Sequence, residues 1–387
     1  MKTVFPIFLK RDQFVASRQD GLWGFIPAPL PPELTWPAGL VSLLGEAERA
    51  LARLAAVGAA FPEPYALVRP FIRREAVLSS RIEGTRASLS DVYAYEAEQL
   101  SFLEPSSDAH EVHNYVRALD YGLERLQTLP VSLRLIRELY ERLMEGLRGG
   151  ALTPGEFRRS QSLIGRPGAT LETATYVPPP VDEMHAALDL MEKFIHAPSD
   201  LSLLVRIALI HYQFEAIHPF LDGNGRVGRL LIALLLCQWG LLPQPLLYLS
   251  AYFERNRLEY YDRLLAVSQR GEWGVWLRFF LTGVRDQALE AAGRVKALQD
   301  LRARHRDLLA SQRDASRLGQ VLVFLLGHPI VTVRQVQAGL GLGDYKTVQR
   351  YVEKLERIGI LREVTGQRRN RLYRADEILE VIEGSLR

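Results

Sequence analysis

The sequence has a single cysteine and no long run of apolar residues. These two features exclude disulfide-bonded and transmembrane classes of protein. Cys237 is alone among 387 residues, so no disulfide can form within one chain. No stretch reaches the length of about eighteen uninterrupted apolar residues that a transmembrane helix needs. Residues 1–18 lack a signal-peptide pattern, because they mix charges with short apolar runs. These features predict a cytoplasmic protein without a membrane span, in which Cys237 is a small core residue.

Neither sign of charge dominates the chain, and no long repeat or low-complexity tract is evident. Lys and Arg number 48 against 45 Asp and Glu. Residues 285–387 nevertheless hold 19 basic against 13 acidic residues, whereas the remainder holds 29 against 32. This local excess of positive charge makes nucleic acid a candidate partner of the C-terminal quarter.

Apolar residues at helical spacing predict a mainly α-helical body with few strands between residues 60 and 300. The proline-rich segment 23–32 cannot be helical and is expected to lie extended. Pro70 is expected in the first turn of a helix that ends at Gly84. Further helices are predicted at residues 40–57, 110–126, 131–148, 181–196, 201–217 and 257–270, and from residue 273 to beyond 285.

Residues 218–229 combine several features of nucleotide chemistry. Gly223, Asn224 and Gly225 are expected to form the turn that opens an apolar helix over residues 230–239. The backbone N–H groups of such a turn and the positive end of the helix dipole bind phosphate. Arg226 and Arg229 stand at i and i+3, so both guanidinium groups leave the same face toward that anion.

Two further groups in the same stretch complete the chemistry. His218 precedes the turn and can accept a proton near neutral pH. Asp222 offers a hard oxygen ligand for Mg²⁺ carried in with a polyphosphate. Phe220 is expected to anchor the loop in the core. Each residue alone would have an ordinary structural role, but together they predict nucleotide chemistry on a hydroxyl.

The twelve residues match the Fic family signature, His-x-Phe-x-(Asp/Glu)-Gly-Asn-Gly-Arg-x-x-Arg, at every defined position. The chain resembles Fic proteins over roughly residues 10–300. The resemblance implies transfer of AMP from ATP to a Ser, Thr or Tyr hydroxyl of a target protein. His218 would be the base, Asp222 would hold Mg²⁺, and the turn amides and Asn224 would counter phosphate charge. The expected ATP contacts are Gly223, Asn224, Gly225, Arg226, Val227, Gly228, Arg229, Tyr260 and Tyr261, with helix packing as the alternative for the two tyrosines.

A shorter segment, residues 79–84, matches the family's inhibitory motif, (Ser/Thr)-x-x-x-Glu-(Gly/Asn). Ser79, Glu83 and Gly84 occupy its defining positions. The resemblance implies that Glu83 pairs with Arg229 and denies this arginine to the γ-phosphate. The same carboxylate would also be able to position a water against an AMP-modified side chain, and the sequence does not rank the two directions. An ordinary solvated helix end is the alternative.

Residues 155–180 predict a β-hairpin with arms at 162–165 and 174–177. In Fic proteins a hairpin of this kind, the flap, holds the target segment by strand addition, which tolerates many side chains. The ends of this segment resemble that flap. The expected target contacts are Leu163, Ile164, Gly165, Tyr176 and Val177, and a simple connector is the alternative.

The predicted organisation has four parts: an N-terminal Fic-associated segment (1–60), a Fic domain (61–284) with the inhibitory helix at 70–84, a helical linker (285–314) and a C-terminal domain (315–387). In the last part, three predicted helices (319–326, 333–340 and 345–358) and strands at 361–364 and 371–374 resemble a winged helix-turn-helix. The third helix would be the recognition helix, and dimerisation or protein docking is the alternative to DNA contact. The candidate DNA contacts are Lys346, Thr347, Gln349, Arg350 and Lys354 on this helix and Arg368, Arg369 and Arg371 on the wing.

Three functions therefore compete. The first is a self-inhibited protein adenylyltransferase that uses ATP and Mg²⁺ and also removes AMP. The second is a DNA-binding transcriptional regulator whose Fic body senses nucleotide or modifies the chain itself. The third is transfer of phosphocholine or phosphate on the same fold, which the intact Gly-Asn-Gly turn and both arginines disfavour. The expected partners are a target protein, DNA through the winged helix, and a second copy of the chain, with no membrane.

Overall fold

A computed structural model describes residues 14–16, 23–98, 107–147, 153–166 and 168–384. As predicted, the structure is mainly helical, with few and short strands. It divides into two compact units. Unit 1 lies within Met1–Ala50, Arg117–Leu241 and Leu249–Asp286, and unit 2 within Leu51–Val116, Leu242–Tyr248 and Gln287–Arg387. Three helices contribute residues to both units: α1 (Leu40–Ala59), α4 (Ser107–Arg125) and α11 (Trp273–Leu309). Each unit is made of several separate segments of the chain. The division into four consecutive parts that the sequence predicts therefore stays a prediction.

In unit 1, an antiparallel strand pair precedes a set of packed helices. Strand β1 (Phe14–Ala16) pairs with β2 (Trp23–Phe25), with Phe14 opposite Phe25. Residues 26–37 that follow are not helical, as their prolines predict. The helices that lie wholly in this unit are α5 (Leu133–Leu143), α6 (Val181–His196), α7 (Leu203–Ile217), α8 (Asn224–Gln238), α9 (Ser250–Arg255) and α10 (Arg257–Arg270).

Helices α7 and α8 form the centre of unit 1 because both are buried on nearly every side. In α7 every residue except Leu203 and Glu215 is buried. Helices α6, α8 and α10 pack against α7, and α5 packs against α8. From α11, the buried Trp276 donates its indole N–H to the carbonyl oxygen of Ala208 at 3.0 Å. The loop that joins α7 to α8 is therefore held between two fixed helices.

Unit 2 combines two helices from early in the chain with the C-terminal quarter. The early helices are α2 (Pro64–Glu83) and α3 (Leu89–Glu98). A three-stranded antiparallel sheet has the order β3-β5-β4, from β3 (Ile330–Val331), β4 (Arg362–Glu363) and β5 (Tyr373–Arg374). The remaining helices are α12 (Ala315–Gly327), α13 (Val333–Gly339), α14 (Tyr345–Ile358) and α15 (Asp376–Glu383). Helices α12 and α15 pack on α2, and α3 packs on β3. The C-terminal segment thus shares a core with the helix that carries residues 79–84.

Several predicted limits were wrong. Pro70 lies inside α2, which begins at Pro64. The buried side chains of Leu67 and Phe71 lie on both sides of Pro70, so helix packing outweighs the proline's missing N–H group. Residues 285–309 are not a separate linker helix but the continuation of α11. The sequence patterns also missed α3, α9 and α15, which span 10, 6 and 8 residues.

None of the helices within the described ranges is both long and apolar enough to cross a membrane. Cys237, near the end of α8, is half-buried rather than fully enclosed. Burial raises the pKa of its thiol to about 12. The thiolate is therefore scarce at neutral pH, as expected for a packing residue.

Candidate active site

His218 ends α7 in a backbone conformation that few L-residues adopt. Its φ of 51° and ψ of 61° lie in the left-handed region, where a side chain other than glycine costs about 1–2 kcal/mol. A hydrogen bond on each side holds its backbone. Its N–H group donates to the Phe214 carbonyl at 3.0 Å, and its carbonyl accepts from the Arg158 guanidinium at 3.0 Å. The sharp turn after α7 thus fixes the backbone of the candidate base.

The side chain of Asn224 closes the loop that follows His218. Its Oδ1 atom accepts the N–H group of Phe220 at 2.9 Å, and its Nδ2 atom donates to the Phe220 carbonyl at 2.8 Å. The Phe220 ring is 1% exposed and stacks on Tyr140 with 3.8 Å between ring centroids, which is the anchoring role predicted for it. The side chain of Asn224 therefore shapes the loop, and its backbone N–H group is one of the amides at the start of α8. The expected contact of Asn224 with phosphate stays a prediction.

Helix α8 begins at Asn224, six residues earlier than the apolar pattern indicates. Gly223 is its N-cap, with a φ of 77° that favours glycine. The N–H group of Val227 makes the first helical hydrogen bond, to the Gly223 carbonyl at 3.0 Å. The amides of Asn224, Gly225 and Arg226 precede this bond, and such amides at a helix start bind anions.

The two motif arginines lie within the first two turns of α8 and are largely buried. Arg226 is 2% exposed and Arg229 is 3% exposed. An Nη2 atom of Arg226 lies 3.6 Å from Oδ2 of Asp222, which limits the directions in which its guanidinium can point. Both cations are thus built into the helix start rather than extended into solvent.

Asp222 is the one motif carboxylate, and its side chain is 61% exposed. Its Oδ1 atom accepts the N–H group of Gly223 at 2.7 Å. Among the described residues no cluster of three or more His, Cys, Asp or Glu side chains has the arrangement of a metal site. A single accessible carboxylate does fit Mg²⁺ that arrives with ATP, because this ion keeps several waters and takes phosphate oxygens as ligands.

A buried histidine of α7, His211, packs against α8, the helix that carries the motif arginines. His211 contacts the Gly228 carbonyl through Nδ1 at 3.2 Å and the Tyr260 hydroxyl through Nε2 at 2.8 Å. Burial, and then the charge of Arg229, lowers the pKa of His211 to about 3. A Cβ atom at Gly228 would lie 2.6 Å from an oxygen of Glu215 and 3.2 Å from the ring of Phe214. His211 is therefore neutral, and Gly228 permits the close approach of α7 and α8.

These contacts separate the expected ATP residues into two groups. Val227 is fully buried, and Gly228 faces α7, so both contribute to packing, and their contact with ATP stays a prediction. Tyr260 is 1% exposed and bonded to His211, which favours the packing alternative for it. Tyr261 is 40% exposed, with the Arg257 guanidinium 5.9 Å from its ring centroid. Of the two tyrosines, Tyr261 is the accessible adenine candidate.

The predicted hairpin pairs at one residue of each arm. The backbone groups of Ile164 and Tyr176 exchange hydrogen bonds of 2.9 and 3.1 Å. Leu163, Ile164 and Tyr176 are half-buried and Gly165 is exposed, so these residues are accessible to a target. Val177 is 3% exposed, and its carbonyl accepts the N–H group of Phe25 in β2 at 2.8 Å. Strand β2 therefore contacts the hairpin at the end of its second arm.

Arg158, which is 1% exposed, has no role in the site predicted from the sequence. Its guanidinium donates to the carbonyls of Ser160 and His218 at 3.0 Å each and to the Pro179 carbonyl. Its own N–H group donates to the Pro219 carbonyl at 2.9 Å. Burial lowers the pKa of this guanidinium to about 10. No sequence pattern marks such a residue, because its partners are backbone atoms that only the fold brings together.

The residues of the predicted inhibitory motif lie at the end of α2, in unit 2. Ser79 is fully buried and Glu83 is exposed. Gly84 caps the helix with a φ of 113°, and its N–H group contacts the carbonyls of Ser80 and Arg81 at 3.1 Å. The predicted helix end at Gly84 is confirmed. The motif arginines belong to unit 1, so the pairing of Glu83 with Arg229 stays a prediction.

A basic groove of about 810 Å³ lies in unit 2 between α14 and the segment before β5. Its lining includes Arg334, Tyr345, Gln349, Arg368, Arg369 and Arg371. Lys346 and Arg350 are exposed on α14. Thr347 instead donates to the N-cap residue Asp344 at 2.6 Å, and Lys354 lies 4.0 Å from Asp314. The predicted wing cations and one predicted helix residue thus line one groove.

Comparison with known proteins matches two adjoining parts of the chain to one family. Residues 41–124 match the Fic/DOC family N-terminal model, and residues 130–236 match the Fic/DOC family model. The proteins named "Protein adenylyltransferase Fic" of Drosophila grimshawi and Drosophila virilis are each 28% identical over 208 residues. This match spans 51% of the chain but only 38% of each relative.

Solved structures show the same fold. A Fic family protein from Desulfovibrio desulfuricans G20 superposes with a TM-score of 0.57 at 21% identity, covering 89% of this chain and 98% of that one. Residues 134–508 of Fic-1 from C. elegans give a TM-score of 0.51 at 21% identity, covering 68% and 74%. The two family models match in order, and the second contains the His218 motif, so residues 41–124 and 130–236 of the chain belong to the Fic/DOC family.

Proposed function

We propose that the chain is a protein adenylyltransferase that transfers AMP from ATP to a Ser, Thr or Tyr hydroxyl of a target protein. The observation that carries this proposal is the placement of His218 one short loop ahead of the α8 start, with Arg226 and Arg229 buried in its first turns. The name of the Drosophila relatives supports the same reaction.

In this reaction the His218 imidazole takes the proton of the target hydroxyl. The hydroxyl oxygen then attacks the α-phosphorus, and the bond to pyrophosphate breaks. The amides of Asn224, Gly225 and Arg226 stabilise negative charge on the phosphates, while Arg226 and Arg229 grip the β- and γ-phosphates. Asp222 would hold Mg²⁺, which neutralises the leaving pyrophosphate when bound.

The test uses two labelled forms of ATP on the full chain with a lysate of candidate targets and Mg²⁺. AMP transfer places label from the α-phosphate on protein and none from the γ-phosphate. Phosphate transfer gives the opposite result, and label from CDP-choline would indicate phosphocholine transfer. Absence of α-label from wild type and from the Glu83→Gly variant would contradict the proposal.

We further propose that Glu83 inhibits the enzyme by pairing with Arg229. This proposal rests on the motif of residues 79–84 and on the position of Glu83 at an exposed helix end. A carboxylate competes with the γ-phosphate for the same guanidinium. The same group would direct water in the removal of AMP, so purified AMP-modified target, incubated with wild type and with Glu83→Gly, tests the reverse direction.

A second function, DNA binding by a C-terminal winged helix, is favoured by the basic groove. Arg368, Arg369 and Arg371 are exposed and line the groove with Gln349 of α14. Contacts of this kind with phosphates make binding weaken steeply with salt. Replacing the three arginines by alanine in the full chain should lower affinity for duplex DNA and flatten the salt dependence.

The matched control for this test removes three cations from elsewhere in unit 2. Arg306, Arg313 and Arg317 are exposed and do not line the groove, so their triple alanine variant changes the net charge equally. Equal losses in both variants would indicate nonspecific attraction. No salt-sensitive binding by wild type would leave protein docking for this groove, and would also remove the regulator alternative. The cytoplasmic location and a second copy of the chain as partner stay predictions.

A further inference from the structure

We infer that Arg158 and Tyr176 are positioning residues that lock the base of the hairpin to the His218 loop. The inference rests on the proposed transfer reaction and assigns roles to two side chains that touch neither ATP nor the target hydroxyl. Both lie in unit 1, as do all their partners.

Arg158 connects the two ends of the hairpin with the loop. Ser160 and Pro179, whose carbonyls accept from its guanidinium, lie before and after the paired residues Ile164 and Tyr176. The third acceptor is the carbonyl of His218 itself. One rigid, planar group thus sets the distance between the segment expected to hold the target and the base expected to deprotonate it.

Tyr176 makes a second connection of the same kind. Its hydroxyl donates to the Ala216 carbonyl at 2.8 Å, two residues before His218. Its ring lies 5.8 Å from that of Phe25 in β2. The hairpin arm that carries Tyr176 is therefore attached to the end of α7.

The backbone of His218 explains why this attachment matters for the reaction. A residue with a φ of 51° keeps that conformation only when its surroundings hold it. The Arg158 contact at 3.0 Å is on the C-terminal side of His218, and the contact with Phe214 is on its N-terminal side. Loss of the Arg158 contact frees the loop to relax, which misplaces the base, and a displacement of about 1 Å can cost about 100-fold in rate.

The experiment measures target labelling by Arg158→Lys and Tyr176→Phe in wild-type and Glu83→Gly backgrounds. Lysine keeps the charge, but its single ammonium nitrogen cannot replace the three guanidinium nitrogens that each contact a different carbonyl. We expect kcat to fall at least tenfold in Arg158→Lys and several-fold in Tyr176→Phe. The dissociation constant of ATP, measured by calorimetry, should stay within twofold, since neither residue contacts the α8 amides.

Arg206 provides the matched control. It is 7% exposed, and it too donates to three carbonyls, those of Phe194, Ile195 and Ala197 at the end of α6. Because its three contacts all come from one nitrogen, Nη2, which a lysine ammonium could replace, the control variant is Arg206→Met, and it should lower the melting temperature at least as much as Arg158→Lys while kcat is retained. Equal losses of kcat in both variants would show that Arg158 acts through general stability.

Three outcomes distinguish the proposals. Full kcat in folded Arg158→Lys and Tyr176→Phe overturns the positioning role. If Arg158→Lys does not fold, Tyr176→Phe decides alone, because it removes one hydroxyl and no buried cation. If neither wild type nor Glu83→Gly labels any target from ATP, the proposed function fails, and positioning for it falls with that function.

Discussion

At the residue scale, the candidate base is held by its backbone. His218 joins two helices that are buried on nearly every side. Its left-handed conformation, the Asn224 clip on Phe220 and the Arg158 contact all act on main-chain atoms. The turn therefore determines the position of the imidazole. Substitutions of Asn224 or Arg158 can test this positioning without replacing His218 itself.

The first prediction concerns His218 as the base. His218→Ala should abolish AMP transfer, since a general base contributes about 10²–10⁴-fold. ATP should still bind, because the α8 amides and both motif arginines are unchanged. Labelling assays and calorimetry on the same preparation measure both. Transfer within a few-fold of wild type would remove His218 from the mechanism.

At the element scale, the structure shows how the strand pair at the start of the chain supports the hairpin. A Cβ atom at Gly24 in β2 would lie 2.1 Å from the Pro178 carbonyl oxygen. This backbone atom cannot move aside as the end of a side chain can. The close approach of Gly24 to Pro178 allows the adjacent Phe25 to donate a backbone hydrogen bond to Val177.

Gly24→Ala should therefore displace β2 from the hairpin and destabilise the protein by about 1–3 kcal/mol. Thermal unfolding measures this loss. Gly293→Ala in α11 is the control, because no atom lies within 4 Å of a Cβ there and alanine favours the helix. An unchanged melting temperature in Gly24→Ala would show that β2 does not depend on this contact.

Helix packing around His211 gives a prediction about pH. Burial lowers its pKa from 6.5 to about 3, so between these values the unfolded chain binds a proton that the folded chain does not. Stability is thus fully present above about pH 6.5 and is lost as the pH falls toward 3, by at most about 1.4 kcal/mol per pH unit. His211→Gln should reduce the slope of melting temperature against pH between 4 and 6.5. His328, whose pKa burial lowers to about 4, leaves a residual slope. An identical slope in the variant would mean that His211 titrates normally.

The apolar periodicity of the sequence predicted most helices, because the residues on their packing faces recur at helical spacing. The limits of α6, α10 and α14 agree with the predicted ranges. The prediction of short helices failed. Helix α9, for example, has six residues and too few apolar positions to establish a period. Within the site, the motif identified His218, Asp222 and the arginines. The roles of Asn224 and Arg158 depend on backbone carbonyls from other segments, which no local pattern records.

At the scale of the whole molecule, the proposed inhibition depends on Glu83 in residues 79–84. If Glu83 competes with the γ-phosphate for Arg229, removing the carboxylate frees this arginine to align the phosphates. Glu83→Gly should raise AMP transfer, including modification of the chain itself, well above wild type. Label incorporation at equal protein and ATP measures the gain.

The double variant Glu83→Gly/Arg229→Ala should lose the gain, because the freed arginine produces it. A second control is Glu380→Gly, which removes another exposed carboxylate from a helix of unit 2 and should leave labelling unchanged. If Glu83→Gly is no more active than wild type, residues 79–84 are an ordinary helix end.

The strained turn at His218 has a consequence for attempts to improve this protein. Glycine adopts a φ of 51° at little cost, and asparagine, like histidine, is among the residues that are enriched at positive φ. His218→Asn and His218→Gly should therefore melt at or above the wild-type temperature while transfer is lost. A heat-challenge screen of random variants would enrich these inactive chains, so selection for robustness must be coupled to an activity readout from its first round.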